Sequence, residues 1–170
     1  MKSILIVLAP NNFRDEEYAV PRKVWEEKGI IVSTTSSSPV SVGRFGMTVK
    51  NDFTLEKAHA EDFDAVFWVG GGGCLDYLEN KIAKSLAESF VKQGRVVGAI
   101  CAAPRLLLHW KILKGHRCTG WNGDNLFGDL AEKGGATYEK KQVVGDGKFL
   151  TGDGPESAEE FAFAFSEILA

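Results

Sequence analysis

"GRVVGAICAAPRLLLHW", residues 94–110, sets a run of small and β-branched residues before a lone cysteine, then two alanines, a proline and a leucine-rich segment. An apolar run without polar alternation, such as "VVGAI" at 96–100, is a strand buried on both faces. Pro104 suits a first helical turn, where its missing N–H is not required. The chain is therefore expected to pass from strand to helix through a sharp turn at Cys101, permitted by the small Ala99, Ala102 and Ala103, which would project the thiol as the elbow of hydrolases projects its nucleophile. A thiolate near a helix N-terminus is favoured by the dipole and free amides, so a lowered thiol pKa is expected. The alternative reading of Cys101 is a small buried core residue.

Working outward, short apolar runs alternate with longer amphipathic ones. They are "SILIVLA" at 3–9, "DEEYAVPRKVWEEKG" at 15–29, "IIVSTTS" at 30–36, "DAVFWVG" at 64–70 and "NKIAKSLAESFVKQG" at 80–94. That order predicts an α/β doubly wound fold, a mainly parallel sheet with helices on both faces. Residues 38–51, "SPVSVGRFGMTVKN", read as a short antiparallel excursion, and "QVVGDGKFLTG" at 142–152 as a hairpin about its Gly-Asp-Gly turn. In the closing "PESAEEFAFAFSEILA", Ser157 and Glu160 have capping-box spacing ahead of a helix.

With 170 residues, 44% hydrophobic and 25% charged, the chain reads as one domain over 1–170. Twenty Lys and Arg against 23 Asp and Glu give a net charge of -3, without the basic excess that nucleic acid demands. The apolar N-terminal run is short and followed by "NNFRDEE", so it reads as a strand rather than a secretion signal. No run is long enough to span a bilayer, and no membrane partner is expected. Cys74, Cys101 and Cys118 cannot all pair and match no zinc spacing, which points to a reducing cytoplasm and to no metal. No organic cofactor motif is present: "GGGGCLDY" at 70–77 is neither a phosphate loop nor a dinucleotide fingerprint.

Ligands of open parallel sheets bind beyond the carboxyl ends of the strands. The segments after "SILIVLA", "DAVFWV" and "VVGAI" carry Asp15, Glu16 and Glu17, then Gly70 to Gly73, then Cys101. Glycine-loop amides could face a bound oxyanion together with the amide after Cys101, or the loop is a plain tight turn. The three acids satisfy a helix dipole on their own, while a carboxylate brought to Cys101 would act as acid or base.

Taken in order, "ILIVLA", Glu17 four residues before Pro21, the glycine loop, "AICAAP" and "TGDGPESAEEFAFAF" resemble the ThiJ/PfpI superfamily, which includes the Parkinson-associated deglycase and the PfpI-like intracellular proteases within the class I glutamine amidotransferase-like fold. The resemblance implies a flavodoxin-like sheet, a nucleophile at Cys101, an acidic neighbour at Glu17, an oxyanion site from Gly71, Gly72 and Ala102, and a homo-oligomer, most simply a dimer. The protease branch's histidine after the cysteine is Ala102 here, and the deglycase branch's histidine is Trp121. Ala103 replaces a usual glycine, and Asp153 stands in place of an arginine, which argues against anion binding at that rim. Asp76 and Cys74 are further pocket candidates. His109 lies eight residues into the helix after Cys101, about 12 Å along its axis, and His59 and His116 read as surface residues.

Three functions follow as expectations. The first is thiolate addition to small reactive carbonyls or their adducts on modified protein, a glyoxalase-like or deglycase-like stress protection. The second is a cysteine amidase or peptidase, which lacks its usual general acid. The third is a non-enzymatic redox sensor or chaperone-like protein working through oxidation of Cys101.

Overall fold

The computed structural model describes residues 1–170. From the N-terminus the chain forms β1 (Ser3–Val7), β2 (Asn11–Phe13), α1 (Asp15–Glu27), β3 (Ile31–Ser36), β4 (Val40–Gly43), β5 (Thr48–Lys50) and β6 (Phe53–Thr54). It continues through β7 (Ala65–Trp68), α2 (Lys81–Lys92), β8 (Val96–Ile100), α3 (Pro104–His109) and β9 (Arg117–Cys118). It ends with α4 (Phe127–Gly134), β10 (Thr137–Tyr138), β11 (Val143–Asp146), β12 (Phe149–Gly152) and α5 (Ala158–Leu169).

The main sheet has the order β11-β12-β8-β7-β1-β3-β6, parallel throughout except for the β11–β12 hairpin. Period-2 alternation sends each strand's side chains to two different cores. Ile4, Ile6, Phe67 and Ile100 pack with Trp25 of α1 and with Phe161 and Phe165 of α5. Leu5, Val7, Trp68 and Val97 pack with Leu86 and Phe90 of α2, Leu106 of α3 and Phe127 of α4. This is the mixed α/β sheet with helices on both faces that the sequence predicts. No helix is long and apolar enough to cross a membrane.

The "VVGAI" glycine has a packing cause. A Cβ on Gly98 would fall 2.6 Å from Phe165 and 2.9 Å from Phe161, so only glycine lets these rings lie against β8. Trp25 closes the same core, its ring edge-on to Phe67 at 5.2 Å and its Nε1–H donated to the Ala162 carbonyl at 2.9 Å.

The excursion at 38–51 is the antiparallel β4–β5 pair, turning through Gly46 at φ 94°. It is joined by β2, which pairs parallel with β4 to make a second, three-stranded sheet that the sequence reading did not anticipate. At the C-terminal hairpin the turn is shifted from the expected one: Gly145 stays in the ladder opposite Leu150, and Gly147 at φ 61° makes the bend. The expected Ser157–Glu160 capping box does not form. Ser157 Oγ instead donates to the Gly154 carbonyl at 2.8 Å, closing the single turn before α5, and no side-chain cap reaches that helix.

Candidate active site

Three loops at the carboxyl ends of β1, β7 and β8 meet around Cys101. Its backbone is left-handed, with φ 61°, which costs a non-glycine residue on the order of 1–2 kcal/mol. The surroundings fix it from both sides. Its N–H donates to the Gly152 carbonyl at 2.9 Å, its carbonyl accepts the Trp121 N–H at 2.8 Å, and Ala103 N–H closes the tight turn on the Ile100 carbonyl at 3.0 Å. Pro104 opens α3 as the sequence predicts.

The glycine loop makes room for this elbow. A Cβ on Gly70 would lie 2.5 Å from Glu17 Oε2 and 2.8 Å from the Cys101 Cβ, so a side chain there would part the two. At Gly71, φ 94°, a Cβ would fall 2.6 Å from the Asn12 carbonyl oxygen and the Arg14 nitrogen, so the backbone there leaves no room for a side chain. The backbone amides of Gly71 and Ala102 reach the Cys101 sulfur, whereas Gly72 contributes only to the wall of the cavity.

Glu17 is fully buried. Its Oε2 accepts the Gly70 N–H at 3.0 Å, Oε1 is buried without a hydrogen-bond partner, and the Cys101 thiol lies near enough to the carboxyl to pull its titration down. Burial pushes the Glu17 carboxyl up to about 7, against the pull of the thiol and the Gly70 amide. Burial first, and then the Glu17 charge, push the Cys101 thiol up to about 12, opposed by the amides of Gly71 and Ala102. The expected lowering is thus overturned, because the six-residue α3 begins three positions after the sulfur, while the buried carboxylate faces it. Above about pH 7 and below about 12 the two groups together hold one proton, and thiol with carboxylate or thiolate with carboxylic acid are two placements of it.

The three consecutive acids that open α1 serve three different partners. Asp15, 7% exposed, accepts the Phe45 and Met47 N–H groups, each at 3.0 Å, and so clamps the β4–β5 turn. Glu16 pairs with Arg14 at 2.9 Å. Glu17 alone turns inward to Cys101.

A cavity of about 390 Å³ opens over the sulfur, lined by Cys101, Gly71, Gly72, Ala102 and Trp121 together with Arg14, Arg44 and Arg105. Two pocket candidates fall outside it. Asp76 is exposed in the short helical segment Gly72–Tyr77, and Cys74 is sunk in the core, its thiol pushed far above the ordinary range by burial. No histidine lines the cavity: His109 pairs with Glu79 at 2.8 Å, the His116 ring packs at a tilt against Phe149 with centroids 4.5 Å apart, and His59 is exposed. Asp153 does not line it either, and the charged side chains on its wall are the three arginines.

Each arginine lies on an aromatic face. Arg14 and Arg44 flank Phe45, at 4.9 and 5.6 Å from the ring centre, and Arg105 lies 5.2 Å from that of Trp121. Arg105 also grips Asp124 through both terminal nitrogens, at 2.9 and 2.8 Å, holding that carboxyl down to about 2.

The model of the DJ-1/PfpI family matches residues 2–168. The chain is 36% identical over 162 residues to the uncharacterized protein MJ0967 of Methanocaldococcus jannaschii, covering 93% of this chain and 78% of that one. It is 31% identical to the putative cysteine protease YraA of Bacillus subtilis, over 95% of both chains. It is 30% identical to the glutathione-independent glyoxalase DJR-1.2 of Caenorhabditis elegans, over 99% of this chain and 89% of the other. The crystal structure of a ThiJ/PfpI domain protein from Brachyspira murdochii superposes with a TM-score of 0.93 at 29% identity, covering 98% of this chain and 95% of that one.

Proposed function

The chain belongs to the DJ-1/PfpI family, and from that premise we propose that it uses Cys101 to add to the aldehyde of a small 2-oxoaldehyde or its adduct. The observation that carries this reading is the strained elbow itself: Cys101 at φ 61° with a buried carboxylate against its sulfur, at the floor of a cavity of about 390 Å³. Strain of this kind persists only where the surroundings enforce it, and such sites cluster at functional centres.

In this reaction the thiol proton passes to Glu17 as the sulfur bonds to the aldehyde carbon, and the carbonyl oxygen takes up negative charge beside the loop amides. Glu17 returns that proton to the oxygen, giving a hemithioacetal. As a carboxylate it then takes the proton from the former aldehyde carbon and delivers it to the neighbouring keto carbon, while the hydroxyl proton passes to the adjacent oxygen and leaves a 2-hydroxy thioester. The first carbon is oxidised as the second is reduced, so no outside oxidant is consumed. Water finally cleaves the thioester, and the sum is 2-oxoaldehyde plus water to 2-hydroxy acid. A single buried carboxyl near pH 7 is matched to give and take protons at neutral pH. The amidase reading ranks lower, because the departing amine needs a proton donor and no histidine lines the cavity.

The test is methylglyoxal consumption by the wild type and by Cys101→Ser. Loss of turnover in a variant that melts like the wild type is expected; unchanged turnover would remove Cys101 from the chemistry.

A further inference from the structure

We infer that the carbonyl compound taken by this cavity carries a carboxylate, received by Arg44 with Arg14 and Arg105 beside it, an inference that rests on the cysteine–carbonyl reading above. The charge balance of the wall leads there. Arg14 is answered by Glu16 and Arg105 by Asp124, but Arg44 makes no ion pair and lies only against the Phe45 ring. Of the three cations on the wall one is left outside any ion pair, above a floor where the Glu17–Cys101 pair carries at most one buried negative charge, and such a wall suits a monoanion better than a phosphate dianion.

Open donors accompany that charge. Arg14 uses Nε and Nη2 on Glu16 and leaves Nη1 free. Arg105 spends its terminal nitrogens on Asp124 and Trp121, and its Nε is buried with no partner. Arg44 is also placed in advance, since Asp15 clamps its turn through Phe45 and Met47 and the Phe45 ring sits between two guanidiniums. Less ordering is then needed on binding. The volume agrees: about 390 Å³ is space for roughly a dozen waters, more than a three-carbon oxoaldehyde fills.

The balanced reaction is R–CO–CHO plus water to R–CH(OH)–COOH, with the second carboxylate on R unchanged. The experiment compares kcat/KM for 4,5-dioxopentanoate and for neutral methylglyoxal in the wild type, Arg44→Gln and Arg44→Lys. Preference for the anionic substrate by about tenfold or more is expected, the size of one charge-assisted hydrogen bond. Arg44→Gln should collapse the ratio mainly through KM, and Arg44→Lys should recover part of it, since an ammonium lacks the planar fork. Equal kcat/KM values in the wild type overturn the inference and leave the proposed function standing.

Consumption of neither substrate overturns the proposed function, and binding then decides the anion site by itself. Calorimetry on Cys101→Ser should show levulinate binding at least about tenfold more tightly than its methyl ester, a difference lost when Arg44→Gln is added. Equal binding of acid and ester overturns the inference, as does displacement of levulinate by inorganic phosphate at a lower concentration than levulinate itself requires.

Discussion

Asp15→Ala should unfasten the turn that carries Arg44. The Asp15 carboxylate, 7% exposed, accepts the amides of Phe45 and Met47 at 3.0 Å each. Hydrogen bonds to a charged group contribute about 1.5–3 kcal/mol each. The far side of this turn is open to water, Phe45 being 63% exposed, so water recovers part of the loss and a net cost of about 2–3 kcal/mol is expected. For a chain of this length each kcal/mol shifts the melting temperature by about 2–4 °C, giving a fall of about 5–10 °C. Thermal and urea denaturation followed by circular dichroism would measure it, and amide exchange at Phe45 and Met47 would locate it. Gly43→Ala attacks the same clamp from the other side, since its Cβ would lie 2.5 Å from Asp15 Oδ1. If Asp15→Ala melts within a degree of the wild type and both amides keep their protection, the clamp is not what holds the turn.

Glu17 has a pKa near 7 in the folded chain against 4.5 for the free group, so between those values the folded state keeps a proton that the unfolded state has released. Its contribution to stability is full below about pH 4.5 and is lost as pH rises through about 7, roughly 3 kcal/mol in all at 1.36 kcal/mol per unit. Urea denaturation should therefore find Glu17→Gln more stable than the wild type at pH 8 by about 2–3 kcal/mol and nearly equal to it at pH 5; parallel stability curves would contradict the assignment. The pH profile of kcat/KM should rise through about 7 as the Glu17–Cys101 pair gives up its first proton, and Glu17→Gln should erase that inflection. At the elbow, Cys101→Gly should be more stable than Cys101→Ala by about 1 kcal/mol, because glycine alone is unstrained at φ 61°; the opposite order in chemical denaturation would mean that the turn relaxes. Gly98→Ala, whose Cβ would press on Phe165 and Phe161, should cost about 1–3 kcal/mol by overpacking, read from the same curves.

The main sheet and the elbow were readable because they are written locally. Buried strands such as "SILIVLA" and "VVGAI" carry their burial on both faces in their composition, and Pro104 marks the helix start without reference to anything distant. The second sheet was not readable. Strand β2 is only Asn11–Phe13, its Asn11 and Asn12 exposed, and it exists because β4 arrives alongside it from thirty residues away. With that pairing unseen, Arg44 looked like a turn residue in a hairpin of no known location. The thiol's titration was misjudged for a related reason: the turn chemistry pointed to a helix N-terminus, but the burial that dominates comes from tertiary packing.

The arginines did leave a signal in the sequence, of a kind that asks which residues stand where local physics disfavours them. A cation in the first turn of a helix opposes the macrodipole. Arg105 directly follows Pro104 at the start of α3, and Arg14 occupies the N-cap position of α1, where its side chain caps nothing. Both misplaced charges lie on the wall of the Cys101 cavity. The acids misled in the opposite direction, because Asp15, Glu16 and Glu17 fit the dipole so well that no further reason was needed for them. Yet one holds a turn, one neutralises an arginine and one is buried against a thiol. Agreement with a local rule therefore carried little information about the site, and the two departures from the same rule pointed at it. The inference drawn from Arg44 can be judged on that ground: the fold keeps two cations at unfavourable helix ends and adds a third that rests on an aromatic ring outside any ion pair, an arrangement whose cost is offset when an anion enters.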